Sequence, residues 1–197
     1  MIAVRHHILC GILVLGLAFS GTPGAETDSA GQSPDDELRS ALKDAVEEST
    51  SFSDRFEAQV WLMDMSNRME HIIEDEEKRL RLLRKVHAEA TRVDLEPELV
   101  LAVIHVESYF DRFAVSEVGA RGLMQIMPFW LDEIGRPDDN LFDIETNLRM
   151  GCTILRHYLD KEDGDLTNAL ARYNGSLGSR RYPSLVYTAL SEHWFRG

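Results

Sequence analysis

The sequence is poor in basic residues, in cysteine and in long apolar runs. Its 197 residues include 21 Lys and Arg against 34 Asp and Glu, which gives a formal net charge of −13. Phosphate backbones and anionic lipids are bound through clustered basic side chains, and an acidic chain without a basic patch does not offer them. The composition therefore argues against a nucleic-acid partner and indicates an acidic, well-hydrated surface.

No apolar run reaches the ~20 residues that a membrane-spanning helix needs. The apolar stretch at residues 8–19 follows Arg5 and is followed by the small residue Ser20. A basic start, a short apolar run and small residues are typical of a signal peptide. We predict a cleaved signal peptide at residues 1–20, with Ala25 as the alternative cleavage position. Export to the periplasm is thus favoured over an uncleaved membrane anchor.

Cysteine is too scarce for a disulfide in the mature chain. The sequence has two cysteines, and loss of the signal peptide would remove Cys10 and leave Cys152 alone. Cys152 lies in an apolar stripe at helical spacing formed by Leu148, Gly151, Leu155 and Leu159. Because a buried free cysteine packs like a small hydrophobe, we predict that Cys152 is a core residue rather than a nucleophile or a metal ligand.

Sustained alternation of apolar and polar residues is also missing, which predicts an all-α fold. Residues 21–52 are acidic and predict a largely flexible tether. Residues 53–94 have apolar positions three or four apart, which predicts one or two long amphipathic helices before a final domain at residues 95–197. The charged stretch 74–79 predicts either a wet face or a break between two helices. The expected helix starts and stops are Pro97, Pro128, Asp143, Asp165, Gly164 and Gly175.

One carboxylic acid lies on an apolar helix face. Val100, Val103, Ile104 and Glu107 are spaced i, i+3, i+4 and i+7. Burial without a basic partner would raise the pKa of Glu107 above its usual value of about 4.3, and a proton held near neutral pH suits a general acid. Alternatively, Glu107 ends the helix and only caps it or reaches water. Periodicity alone leaves both interpretations open.

Two polar residues accompany apolar stretches further along the chain. Gln125 lies in the glycine-containing segment 114–128, and an amide can fix a sugar hydroxyl or acetamido group. The alternative is a close helix contact in which Gln125 is satisfied internally. Tyr173 ends another apolar stripe, so its hydroxyl suits either a cleft wall or a core edge.

Several spaced motifs together resemble the soluble lytic transglycosylase catalytic domain, a lysozyme-like all-α fold, over roughly residues 95–197. The matching segments are residues 102–104, Glu107-Ser108, residues 114–116, Gly119-Ala120, residues 122–128, residues 141–143, Asn147, Gly151, residues 169–171 and Tyr173-Asn174.

The resemblance implies roles for individual residues. It makes Glu107 the catalytic acid, and it implies that the substrate-binding residues are Ser116, Met124, Gln125, Tyr173 and Asn174. The chain departs from the family at Arg172, where a small residue is usual, and at Gly175-Ser176, where the family usually has Ala-Gly. These departures lie at the rim that the family uses for the glycan.

The motifs offer one carboxylate, whereas most glycosidases use two. The resemblance therefore implies a lytic transglycosylase that cuts the β-1,4 bond between N-acetylmuramic acid and N-acetylglucosamine and leaves 1,6-anhydromuramoyl ends. No metal or other cofactor is expected, since His105-Val106-Glu107 lacks ligand spacing. The alternatives are a lysozyme-like muramidase and a non-catalytic glycan-binding scaffold. We predict a monomer that acts on peptidoglycan strands, with envelope proteins as possible partners of residues 53–94.

Overall fold

The computed structural model describes residues 51–52 and 54–195. The predicted signal peptide at residues 1–20 and nearly all of the predicted tether lie outside the described residues, so both stay predictions. Within the described part, no helix is long and apolar enough to cross a membrane. The helices are α1 (Arg55–Met69), α2 (Glu76–Arg92), α3 (Pro97–Ser108), α4 (Trp130–Ile134), α5 (Ile144–Lys161), α6 (Leu166–Tyr173) and α7 (Arg181–Ala189), followed by the π-helical turn Leu190–Trp194.

The all-α prediction is confirmed for the described residues. Their only β-type pairing consists of two isolated bridges, from Arg121 to Val115 and to Ile126, in the loop between α3 and α4. Three of the predicted helix starts are also found: Pro97 opens α3, and the carboxylates of Asp143 and Asp165 each accept a backbone hydrogen bond that caps α5 and α6. These caps satisfy N–H groups that a helix cannot pair internally. The prediction for Pro128 is wrong, because this proline lies in the turn before Phe129, and α4 begins at Trp130.

The charged stretch 74–79 contains the break between α1 and α2, but Arg79 does not lie on a wet face. This arginine is 6% exposed. Its guanidinium donates to Ser66 Oγ at 3.0 Å and to the carbonyl oxygens of Ile73 and Glu74 at 2.7 and 2.8 Å. A buried guanidinium needs such acceptors, and the two carbonyls belong to the turn. Arg79 therefore stabilises the turn between α1 and α2.

One hydrophobic core joins the two first helices to the rest of the described chain. Leu62 and Met65 of α1, Val86 of α2 and Ile104 of α3 are all fully buried in it. Met65 and Met69 of α1 are thus core residues, as the periodicity favoured, whereas Met63 is exposed. The division of the chain at residue 94 stays a prediction, although the core itself is continuous across that position.

Cys152 is fully buried on α5, which confirms its prediction as a core residue. Burial raises the pKa of its thiol far above the usual value, so the thiolate that a nucleophile requires is not formed near neutral pH. The neighbouring Gly151 lies against the side chain of Met124, and a Cβ on Gly151 would overlap with it. This glycine therefore sets how closely α5 approaches the loop that contains Met124.

We expect Gly151→Ala to lower the free energy of unfolding by about 1–3 kcal/mol, because an added methyl group overpacks a dense core. Urea denaturation of both proteins measures the difference. In the double variant Gly151→Ala with Met124→Ala, the methyl group gains room, so the two effects should not add. Additive effects would show that the contact with Met124 is not the cause.

Candidate active site

Glu107 is the last but one residue of α3, and the chain turns sharply directly after it. Tyr109 and Phe110 have φ values of +50° and +65°, in the left-handed region that non-glycine residues rarely adopt. Such strain persists where the surrounding structure holds it, and here Phe110 is buried and Ser108 Oγ donates to the carbonyl of Leu123 at 2.8 Å. The turn ends α3 beside the loop of residues 109–129.

The carboxyl group of Glu107 is partly buried and has a phenol as its hydrogen-bond partner. Tyr182 donates its hydroxyl to Glu107 Oε1 at 2.7 Å. Within the described residues, no Lys, Arg or His lies at ion-pair distance from this carboxyl. Burial raises the pKa of Glu107 to about 7, and the hydrogen bond from Tyr182 partly opposes that rise. The apolar-face placement expected from the helical spacing is therefore found, while the catalytic role stays a proposal.

Two tyrosines surround this end of α3. Tyr182 belongs to α7, and Tyr173, the last residue of α6, donates its hydroxyl to the carbonyl of Met124 at 2.7 Å. Burial and the nearby charge of Glu107 hold the pKa of both phenols well above 10. Both hydroxyls therefore remain protonated donors across the physiological pH range.

Sequence reasoning did not single out Tyr182. Its signal was the same as that of Tyr173: a phenol at one end of an apolar stripe at helical spacing, here continued by Val186 and Ala189. The hydrogen bond to Glu107 joins residues 75 positions apart in the sequence. A short-range pattern can suggest such a tyrosine but cannot supply its partner.

Asn147 fixes the loop against α5. Its side chain is 1% exposed and makes three hydrogen bonds: Nδ2 donates to the carbonyls of Arg121 and Leu141 at 2.9 and 2.8 Å, and Oδ1 accepts from the N–H of Met124 at 2.8 Å. Gly122 lies directly against this amide with a φ of +76°, where a Cβ would overlap with it. A glycine is required here for both reasons.

Ser116 and Gln125 use polar atoms to hold the same loop. Gln125 Nε2 donates to the carbonyls of Gly122 and Ala114 at 2.9 and 3.2 Å, so its amide nitrogen is satisfied internally. Its Oε1 accepts no hydrogen bond from the described residues. Ser116 Oγ accepts from the N–H of Ala120 at 3.0 Å. Both side chains keep some exposed surface, which leaves them accessible to a ligand.

Met124 and Asn174 have different surroundings from each other. Met124 has no exposed surface, so direct contact with a substrate is not supported in this conformation; its carbonyl instead positions Tyr173. Asn174 is exposed and caps the end of α6 through its N–H. Arg172, where the family usually has a small residue, forms a hydrogen bond within the chain: its Nε donates to Glu162 Oε1 at 2.6 Å. The structure thus links Glu107 with Tyr182 and Tyr173 with Met124 by hydrogen bonds, and among the described residues the side chain of Asn174 forms no hydrogen bond with either pair.

Taken together, the described residues form a helical fold in which the partly buried carboxyl of Glu107 accepts a hydrogen bond from a phenol and has a raised pKa. The chain belongs to the transglycosylase SLT domain family, whose family model matches residues 85–195. That match begins within α2, ten residues before the domain start that the sequence motifs predicted.

The relatives that match this chain are also named as transglycosylases. The transglycosylase of Enterobacteria phage PRD1 is 37% identical over 90 residues, which is 46% of this chain and 33% of that protein. Membrane-bound lytic murein transglycosylase F of Desulfosudis oleivorans is 38% identical over 98 residues, 47% of this chain and 21% of that protein. Membrane-bound lytic murein transglycosylase C of Yersinia pestis is 33% identical over 125 residues, 55% of this chain and 34% of that protein.

The chain spans about a third or less of the length of these curated relatives. Among solved structures, an inactive mutant of the lytic transglycosylase Slt from Pseudomonas aeruginosa is 19% identical, with a TM-score of 0.44. That similarity covers 77% of this chain and 33% of the solved one.

Proposed function

We propose that the chain is a peptidoglycan lytic transglycosylase that cleaves the β-1,4 bond between N-acetylmuramic acid and N-acetylglucosamine and forms 1,6-anhydromuramoyl ends. The observation that carries the proposal is the carboxyl of Glu107, with its pKa raised to about 7 and the hydroxyl of Tyr182 on Oε1. Family membership and the names of the relatives support the same activity.

Glu107 acts first as the acid. Near pH 7 a large share of its carboxyl groups carries a proton, because burial penalises the charged form. Tyr182 occupies Oε1 as a donor, which leaves Oε2 as the oxygen that holds the proton. Glu107 passes this proton to the glycosidic oxygen as the bond to the muramoyl anomeric carbon breaks.

The substrate supplies the second group. No other carboxylate is among the causes of the raised pKa of Glu107, and the sequence motifs offer no second acid, so we assign no residue to the paired carboxylate that most glycosidases use. The muramoyl acetamido group assists from the opposite face of the sugar. Glu107, now a carboxylate, takes the proton from the C6 hydroxyl, which attacks the anomeric carbon and closes the anhydro ring. The proton thus returns to Glu107, and no water is consumed.

Incubation of the purified protein with cell-wall sacculi tests the proposal through the masses of the released fragments. Anhydro ends are lighter by one water than hydrolysed ends. Anhydro products support the transglycosylase, hydrolysed ends would instead assign a muramidase, and the absence of any released fragment would favour a glycan-binding scaffold.

We place the protein in the periplasm, on peptidoglycan strands, as the predicted signal peptide and the activity require. Two of the named relatives are membrane-bound transglycosylases. Partners that bind residues 53–94, and the monomeric state, stay predictions.

Tyr182→Phe should move the pH profile of activity toward higher pH. In the wild type, kcat/KM is expected to fall as pH rises through about 7, because the acid form of Glu107 is lost. Since the phenol hydrogen bond lowers that pKa, its removal extends the acid form upward. We also expect a loss of about 10-fold at the optimum, because a poorly held acid is misplaced.

Tyr187→Phe is the matched control. Tyr187 lies on the same helix, and its hydroxyl contacts Thr167 Oγ1 at 3.0 Å rather than Glu107. Its pH profile should equal that of the wild type. A profile of Tyr182→Phe that stays in place or moves toward lower pH would contradict the role assigned to this phenol.

A further inference from the structure

The π-helical turn Leu190–Trp194, here called the C-terminal turn, packs a histidine and a tryptophan against the end of α3. The ring of His193 stacks on the ring of His105, with centroids 4.7 Å apart and planes 24° apart. Trp194 is 1% exposed, and its ring centroid lies 5.9 Å from that of His105 and 5.4 Å from that of Phe110. The C-terminal turn therefore contacts both α3 and the strained turn directly after it.

The segment formed by α7 and the C-terminal turn is attached to α3 at two places. Near its start, Tyr182 donates its hydroxyl to Glu107 at 2.7 Å, and near its end His193 stacks on His105. Positions 105 and 107 lie on different sides of α3, because two residues turn a helix by about 200°. Loss of the histidine contact would therefore free one end of a segment whose other end holds the phenol on Glu107.

His105 is poorly placed to carry a positive charge. Its Nδ1 is buried and has no hydrogen-bond partner among the described residues. The neutral ring can leave this nitrogen without a hydrogen, but the charged ring has an N–H on both nitrogens and would bury one of them without an acceptor. Burial is also the main reason why the pKa of His105 lies below its usual value of 6.5, and the charges of His193 and His71 lower it further. The folded state therefore favours the neutral ring.

The groups around the ring of His105 do not compensate for a proton. His193 faces it from the C-terminal turn and His71 from the turn between α1 and α2, and a positive charge on either opposes one on His105. From α1, Arg68 Nη1 donates to the carbonyl of His193 at 3.0 Å, and its Nε is paired with Asp64 at 2.8 Å. No carboxylate is among the groups that shift the pKa of His105. The other ring neighbours are Tyr109, Phe110 and Trp194.

We propose that the stacked pair of His105 and His193 is a pH-sensitive positioning clamp, which holds the C-terminal turn on α3 while both rings are neutral and releases it when His105 takes up a proton. The contact is fully stable above about pH 6.5 and is lost as pH falls below that value, because the open state takes up the proton more readily. The clamp acts on the site through α7, which carries Tyr182.

The consequence for activity rests on the proposed function, whereas the opening of the C-terminal turn does not. Glu107 loses its acid form as pH rises through about 7, which limits activity on the alkaline side. Opening of the clamp limits activity on the acid side. The acid limb of the pH profile is thus assigned to His105, a residue that does not touch the carboxyl of Glu107.

Hydrogen exchange followed by mass spectrometry tests the clamp without any substrate. The peptide of residues 186–195 is compared with the core peptide of residues 148–155 at about pH 8 and about pH 5, the range in which an ordinary histidine titrates. After correction for the intrinsic effect of pH on exchange, opening of the C-terminal peptide should increase by about 5-fold or more at the lower pH, as expected for one buried N–H without an acceptor. The core peptide should change less, because the opening is local.

Two variants separate the proton from the ring. His105→Phe keeps an aromatic ring in the stack but cannot take up a proton, so it should abolish the pH dependence of the C-terminal peptide. His157→Gln changes an exposed histidine on α5 and should behave as the wild type. An NMR titration of the unaltered chain keeps the test valid if His105→Phe does not fold: the ring signals of His105 and the indole signal of Trp194 should shift together with pH.

The positioning role is tested on soluble glycan strands. The wild type should lose kcat/KM on the acid side below about pH 6.5, the pH at which the clamp starts to open. His105→Phe should move this acid limb to lower pH and leave the fall near pH 7, which is assigned to Glu107, where it is. A purely structural role of His105 would change the size of the activity at all pH values without moving either limb.

Equal increases in exchange of the two peptides, a His105→Phe protein as pH-sensitive as the wild type, or loss of the dependence in His157→Gln would each overturn the clamp. An acid limb that stays in place in His105→Phe would overturn its positioning role. A clamp that opens as described in a protein that releases no anhydro products would instead contradict only the proposed function.

Discussion

Replacing Glu107 with Gln is expected to lower turnover on cell-wall glycan by at least about 100-fold, and by up to about 10⁴-fold. The amide has nearly the same shape and can still accept the hydrogen bond from Tyr182, but it has no proton to give and cannot act as a base in the second step. Release of anhydro fragments from sacculi, measured at equal protein concentration, gives the ratio. Near-normal release by the variant would show that Glu107 is not the acid.

The same variant has a stability readout that does not involve substrate. The folded-state pKa of Glu107 is raised from 4.5 to about 7, so the folded state favours the protonated form. The wild type therefore loses stability as pH rises between these two values, and this loss is complete above about pH 7. Glu107→Gln avoids it and should be more stable at pH 8 by up to about 3 kcal/mol, but not at pH 4. Urea denaturation of the wild type and of Glu107→Gln at pH 4 and pH 8 measures this difference. If the two proteins had the same unfolding free energy at both pH values, the carboxyl of Glu107 would be well hydrated.

The local sequence pattern was sufficient to predict helix faces, helix caps and core positions, because these features depend on residues that are close together in the sequence. The spacing of Val100, Val103 and Ile104 predicted both the helix and the face on which Glu107 lies, since three and four residues complete a helical turn. Asp143 and Asp165 were readable as caps because a cap bonds to backbone only a few residues away. Cys152 was readable as core for the same reason of periodicity.

Contacts between distant segments could not be predicted from the local sequence pattern. Arg79 was expected at a wet face or a break because its neighbours are charged, but its guanidinium is buried against the carbonyls of the turn before α2. Gln125 illustrates an alternative that periodicity left open: the fold places the carbonyl of Ala114 within reach of its amide nitrogen, while its role in substrate binding stays a proposal. Tyr182 reaches Glu107 because α7 packs against α3, and no pattern within either helix encodes that packing.

Asn147 has a structural role that becomes visible only in the tertiary structure, because its side chain bonds to distant segments of the chain. Asn147→Ala should have the largest effect on stability. The change would leave the carbonyl of Leu141 and the N–H of Met124 buried without partners, and it would also create a small cavity. The carbonyl of Arg121 would lose one of its two hydrogen bonds and keep the one from the N–H of Ile126. Each orphaned buried group costs about 1–3 kcal/mol, so we expect a loss of roughly 3–5 kcal/mol in the free energy of unfolding. Urea denaturation measures this loss directly.

The effect of Asn147→Ala should reach the site, because Met124, whose N–H loses its acceptor, also supplies the carbonyl that holds Tyr173. Activity should therefore fall even under conditions where the variant is fully folded. Asn147→Asp keeps the acceptor for Met124 but loses both donated hydrogen bonds, so it should lie between the wild type and alanine. Asn168→Ala removes a partly exposed amide whose side chain bonds only to Asp165 at 3.1 Å, and it should change stability by less than about 0.5 kcal/mol. If Asn147→Ala lowered the free energy of unfolding as little as that control, the backbone turns of the loop would hold it in place. The amide of Asn147 would then not be needed for the structure of the site.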